Sequence, residues 1–97
     1  MKAILVFREK MKLADGGIVE MVIWKLPESN EERPHGLKYS LFYGISGRRI
    51  VGYDNELGKG DHKYINDQEY PYQFESVERL ITDFMSDVEV QRAIHNE

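Results

Sequence analysis

Cysteine is missing from this 97-residue chain, which removes disulfides and thiolate zinc sites from consideration. Stability must therefore come from packing alone. Also missing is any apolar run near the ~20 residues of a membrane-spanning helix. The longest early run, Ala3-Ile4-Leu5-Val6-Phe7, is too short for a signal-peptide core and passes directly into Arg8-Glu9-Lys10. A cytoplasmic protein with no membrane partner is the expectation. There is no excess of basic charge, and the net charge of −4 argues against a broadly basic nucleic-acid binder. No internal repeat or low-complexity segment is present.

What remains is a composition of 41% hydrophobic and 31% charged residues, suited to a compact chain with a modest core. The length leaves room for one domain over residues 1–97, since two cores would each bury too little surface. Charge is segregated along the chain. Between positions 48 and 63, Arg48, Arg49, Lys59 and Lys63 outnumber Asp54, Glu56 and Asp61, whereas from position 76 onward acids dominate. Only the middle segment is suited to face phosphate.

Apolar periodicity predicts an antiparallel sheet of about four strands closed by one helix, an α+β fold in the order ββββα. Residues 3–13 alternate with Leu5, Phe7, Met11 and Leu13 on one face. Ala14-Asp15-Gly16-Gly17 is a turn, and residues 18–26 return as a strand that is apolar on both faces and so lies inside the sheet. The polar stretch 27–36 reads as a loop. Residues 37–45 place Leu37, Tyr39, Leu41, Tyr43 and Ile45 on one side. Ser46-Gly47 then turns the chain into a fourth strand over 48–53. Residues 54–71 show neither period and read as a long loop, of the kind that is usually functional or mobile. Val77, Leu80, Ile81, Phe84, Met85 and Val88 form one helical stripe, with Ser76 or Glu75 as its cap.

That long segment concentrates reactive side chains. Lys59 lies between two glycines, which allow close backbone approach to a ligand while the ammonium meets a phosphate. His62 brings an imidazole whose ordinary pKa of ~6.5 permits proton transfer near neutrality. Asp61 and Asp54 are placed to orient it. Tyr53 and Tyr64 offer stacking faces, and Arg48, Arg49 and Lys63 offer cations for phosphate. These are the parts for metal-independent RNA cleavage, in which the 2′-hydroxyl loses a proton, the 5′-oxygen gains one and cations stabilise the phosphorane. No cofactor is called for, and the Walker spacing is absent. A metal set of Asp54, Asp61 and His62 would need three ligands converging on one point. The bland alternative is a solvated turn in which Asp54 and Asp61 bond turn amides. His35 and His95 read as solvated, and the Tyr70–Phe74 run as packing against the sheet.

These residues resemble a known family. Phe7-Arg8-Glu9-Lys10, the run from Asp15 to Trp24, Tyr53-Asp54-Asn55-Glu56, Gly58-Lys59-Gly60-Asp61-His62 and Ser76-Val77 look like the TumE toxins of bacteria and archaea, over roughly residues 2–88. The resemblance implies the toxin half of a type II toxin–antitoxin pair, with a helix-turn-helix antitoxin as partner and RNA, free or ribosome-associated, as target. The net negative charge departs from the basic character usual for ribosome-bound RNA-cleaving toxins. A different class stands beside this one: a non-catalytic binding module that captures protein, or a second copy of itself, through an open strand edge.

Overall fold

The computed structural model describes residues 2–31, 33–56 and 60–95. The chain forms β1 (Ile4–Lys12), β2 (Ile18–Lys25), β3 (Leu37–Ile45), β4 (Arg48–Asp54), β5 (His62–Ile65), β6 (Gln68–Pro71) and α1 (Val77–His95). All strands pair antiparallel with their sequence neighbours, giving a meander in the order β1-β2-β3-β4-β5-β6. The sheet thus has six strands rather than about four. The additional pair, β5 and β6, spans only four residues per strand, too short for alternation to declare itself. Asn66-Asp67 turns it, with Asn66 at a φ of 55°, a left-handed conformation that asparagine tolerates.

The earlier hairpins follow the turn chemistry in the sequence. The Asp15 carboxylate accepts a bond from the Gly17 amide at 2.8 Å beside Gly16 at a φ of 90°. Ser46 and Gly47 both adopt positive φ, 52° and 76°, the backbone a two-residue hairpin turn requires.

One sheet face is covered by α1; among the described residues no helix or strand packs over the other, the bare face. Val19, Met21 and Ile23 of β2 stand opposite Tyr43, Leu41 and Tyr39 of β3, and Leu41 and Tyr43 stand opposite Tyr53 and Val51 of β4. These are all buried and form the core with Leu80, Phe84 and Val88 of α1. Phe84 meets the Tyr53 ring edge-on at 5.7 Å, so α1 lies over β4 on this side. Each such apolar side chain stabilises the docking by roughly 1.5–3 kcal/mol. Ser76 caps the helix, its hydroxyl accepting from the Arg79 amide at 3.0 Å. No described helix is long and apolar enough to cross a membrane.

Candidate functional site

The β4–β5 pairing sets Asp54 directly opposite His62 and Gly52 opposite Tyr64. Lys63, between them in sequence, points to the covered face, so His62 and Tyr64 point to the bare one. There His62 Nε2 lies 2.8 Å from Asp54 Oδ1 and 3.8 Å from Glu69 Oε2. The other ring nitrogen, Nδ1, donates to the Gly60 carbonyl at 3.0 Å, which fixes the ring's orientation and turns Nε2 towards Asp54. Nε2 is buried yet lacks the alignment of a hydrogen bond to any described residue; its contact with Asp54 is one of charge and proximity. The residue is only 5% exposed, held between the Asp54 and Glu69 carboxylates and the edge of the Tyr64 ring. It lines a cavity of about 380 Å³ with Asp61, Glu69, Tyr70 and Pro71.

Arg49 joins this group along the bare face. Its Cζ sits 3.9 Å from the centre of the Tyr64 ring, and the Tyr64 ring meets the His62 ring edge-on at 5.0 Å. Gly52 makes this possible, because a Cβ there would lie 2.8 Å from Arg49 Cδ.

The residues flanking the Asp54–His62 pair hold the hairpin in register. Asn55 is fully buried; its Oδ1 accepts from the Tyr39 amide at 3.0 Å and its Nδ2 donates to the Leu37 carbonyl at 2.8 Å. Its own carbonyl accepts both Nε and Nη2 of the buried Arg33, at 3.0 and 2.8 Å. Asp61 accepts from His35 Nε2 at 2.9 Å, and the His35 ring packs 4.2 Å from Phe74. His35 is therefore packed and paired rather than solvated as expected. Tyr39 keeps its hydroxyl buried near Asp61 without an aligned bond; burial and then the Asp61 charge push its phenol above its ordinary value.

Of the sequence candidates, the structure brings together His62, Asp54, Arg49 and Tyr64. Asp61 adjoins them but is engaged by His35. Tyr53 is sealed in the core, where its hydroxyl donates to Asp87 of α1. Lys63 lies on that same covered face, donating to Asp87 at 3.1 Å. Arg48 sits at the far end of β4, 3.9 Å from Asp67. Lys59 lies outside the described residues. Among the described residues no three His, Cys, Asp or Glu side chains converge as metal ligands. Glu69 was missed, because its position beside His62 depends on the β5–β6 hairpin. The signal available was Asn66-Asp67 between His62-Lys63-Tyr64-Ile65 and Gln68-Glu69-Tyr70-Pro71.

Fold and site define a small α+β protein with a helix on one face of a meander and a His62–Asp54 contact on the other. Residues 3–92 match the family model described as Toxin TumE. The chain belongs to that family, as its motifs suggested. Comparisons with curated proteins and with solved structures give no match.

Proposed function

We propose that this toxin acts in the cytoplasm on RNA and cleaves the phosphodiester without a metal, with Asp54 and His62 as its acid–base pair. The observation that carries the reading is the 2.8 Å approach of His62 Nε2 to Asp54 on the bare face. A buried nitrogen without an aligned partner is uncommon, and on this reading the side chains around it move aside to admit the substrate. Asp54 accepts the 2′-hydroxyl proton as the 2′-oxygen bonds phosphorus. The P–O5′ bond breaks, and Nε2–H of the imidazolium protonates the departing oxygen. Transfer of the proton from Asp54 to Nε2 restores the pair. Arg49, stacked on the Tyr64 ring that meets His62 edge-on, meets phosphate charge, and Lys59, three residues before His62, is the second cation of this reading. The products are a 2′,3′-cyclic phosphate and a 5′-hydroxyl end.

Purified protein incubated with total RNA, with and without ribosomes, tests this. Cleavage leaving cyclic phosphate ends is expected, with Asp54→Asn slowed by ~100-fold or more. No cleavage in either arm, or an Asp54→Asn protein as active as the parent, rejects the assignment.

A binding role has its own support in β1, an edge strand whose Ile4, Leu5 and Val6 are 65%, 44% and 48% exposed. Such an edge can accept a strand of a helix-turn-helix antitoxin or of a second copy. Val6→Lys should weaken capture of the co-expressed antitoxin; undiminished capture excludes this edge.

A further inference from the structure

Beyond the acid–base pair, the bare face carries aromatic rings and cations in register. Trp24 of β2 and Phe42 of β3 lie on it together with Tyr64, and all are partly exposed. The Phe42 ring lies across Gly44, where a Cβ would come within 2.6 Å of its Cζ. Glycine again separates Phe42 from Tyr64, since Gly52 pairs with both. Arg49 fills that lane and turns an exposed guanidinium outward from the Tyr64 ring.

The cations stand beside these rings. Arg8, Lys10 and Lys12 alternate along β1 on the same face, opposite Val22, Glu20 and Ile18, and Lys38 stands opposite Trp24. All four are exposed. Successive β1 cations recur every ~6.8 Å, twice the strand rise, a repeat that an extended single strand's phosphates can follow. Glu20, Asp54 and Glu69 are the acids that the register places among them, whereas α1 on the other side carries Glu78, Asp83, Asp87 and Glu89. Against the chain's net charge of −4, the cations Arg8, Lys10, Lys12, Lys38 and Arg49 outnumber the acids on this face.

We propose that the bare sheet face is a platform for single-stranded RNA. Unpaired bases stack on Trp24, Phe42 and the Arg49–Tyr64 pair, a path that crosses the sheet from β2 towards Asp54 on β4 and His62 on β5, while the β1 cations hold phosphates at its far edge. The identity of the ligand rests on the RNA-cleavage reading. Unpaired bases are required because rings on a sheet bind the flat faces of bases, which a duplex hides.

The test is fluorescence anisotropy of the parent protein with a labelled single-stranded 2′-O-methyl oligoribonucleotide of mixed sequence, which lacks the attacking hydroxyl, and with its duplex. The single strand is expected to bind at least tenfold tighter. Phe42→Ala and Trp24→Ala should each weaken it about tenfold. Joint Lys10→Glu and Lys12→Glu should weaken it and flatten its salt dependence. Both lysines are exposed, so that result stands even if a ring variant fails to fold. Equal affinity for duplex, parent-like binding by the charge-reversed protein, or capture of polyglutamate in place of RNA overturns the platform. Single-strand binding without cleavage of unmodified RNA strikes the catalytic reading alone. Cleavage without single-strand binding strikes the platform alone.

Discussion

His35 donates its Nε2 proton to Asp61 at 2.9 Å while its Nδ1 accepts from the Leu37 amide at 3.1 Å. The second bond assigns the tautomer, since Nδ1 must be bare to accept. Both ring nitrogens are thereby engaged, and His35 serves as a tie between the loop before β3 and the residue preceding His62. Asp61 accordingly positions the hairpin and leaves His62 to Asp54.

Asp61→Asn retains an oxygen for the His35 proton, and Asp61→Ala does not. The alanine variant should lose about 1–3 kcal/mol, the range for leaving a largely buried donor unpaired, and the asparagine variant much less. Urea denaturation of both proteins measures the difference. Equal stability of the two would show that the bond contributes nothing.

The glycines of the bare face should respond in opposite ways. A Cβ at Gly44 would come within 2.6 Å of the Arg48 carbonyl oxygen, which is backbone and cannot move away alone. Gly44→Ala should destabilise by about 1–3 kcal/mol. At Gly52 the obstacle is Arg49 Cδ at 2.8 Å, part of a flexible side chain. Gly52→Ala should fold with less than about 1 kcal/mol lost, yet displace Arg49 from Tyr64 and reduce RNA cleavage. Thermal melts beside a cleavage assay separate the two effects.

The fold was legible wherever an element was long enough to show its period. The alternation of Tyr39, Leu41 and Tyr43 placed β3 against the core, and the Leu80–Phe84–Val88 spacing located α1. The β5–β6 hairpin was not legible, because four-residue strands carry too few alternations and β6 is exposed throughout. That omission hid the site's geometry. Without β5 paired to β4, nothing in Asp54, Asp61 and His62 says which carboxylate meets the imidazole. Proximity in sequence groups Lys63 and Tyr53 with His62, but side chains alternate across a strand, and one residue decides the face.

Lys63 and Asp87 illustrate the consequence. Both side chains are 27% exposed and bond at 3.1 Å on the helix side. Lys63→Ala should cost no more than about 1 kcal/mol and leave RNA cleavage at the parental rate. Asp87→Ala should cost about 1–3 kcal/mol, because it also strands the buried Tyr53 hydroxyl. A Lys63→Ala protein that folds normally but fails to cleave would place this lysine at the site after all.

Stability should decline at both ends of the pH range, and one hydrogen bond contributes to both limbs. Tyr72 donates to Asp83 at 2.8 Å. Burial first, then this bond, raises the Tyr72 phenol above its ordinary value of 10.0, and burial similarly raises Tyr39, Tyr43 and Tyr53. A raised folded-state value means that the unfolded chain loses these protons first. The stability is complete below pH 10.0 and falls progressively as pH climbs above it. Burial opposes the ionisation of Asp83, but the bonds from Tyr72 and Arg79 outweigh it and hold the carboxyl below its ordinary 3.8. Its contribution is complete above pH 3.8 and is lost as pH falls through the lower folded value. Tyr72→Phe should therefore flatten both limbs, whereas Asp83→Asn should remove chiefly the acid one. Urea midpoints between about pH 2.5 and 11, with phenolate absorbance followed on the alkaline side, check this; a Tyr72→Phe profile parallel to the parent's would refute the coupling.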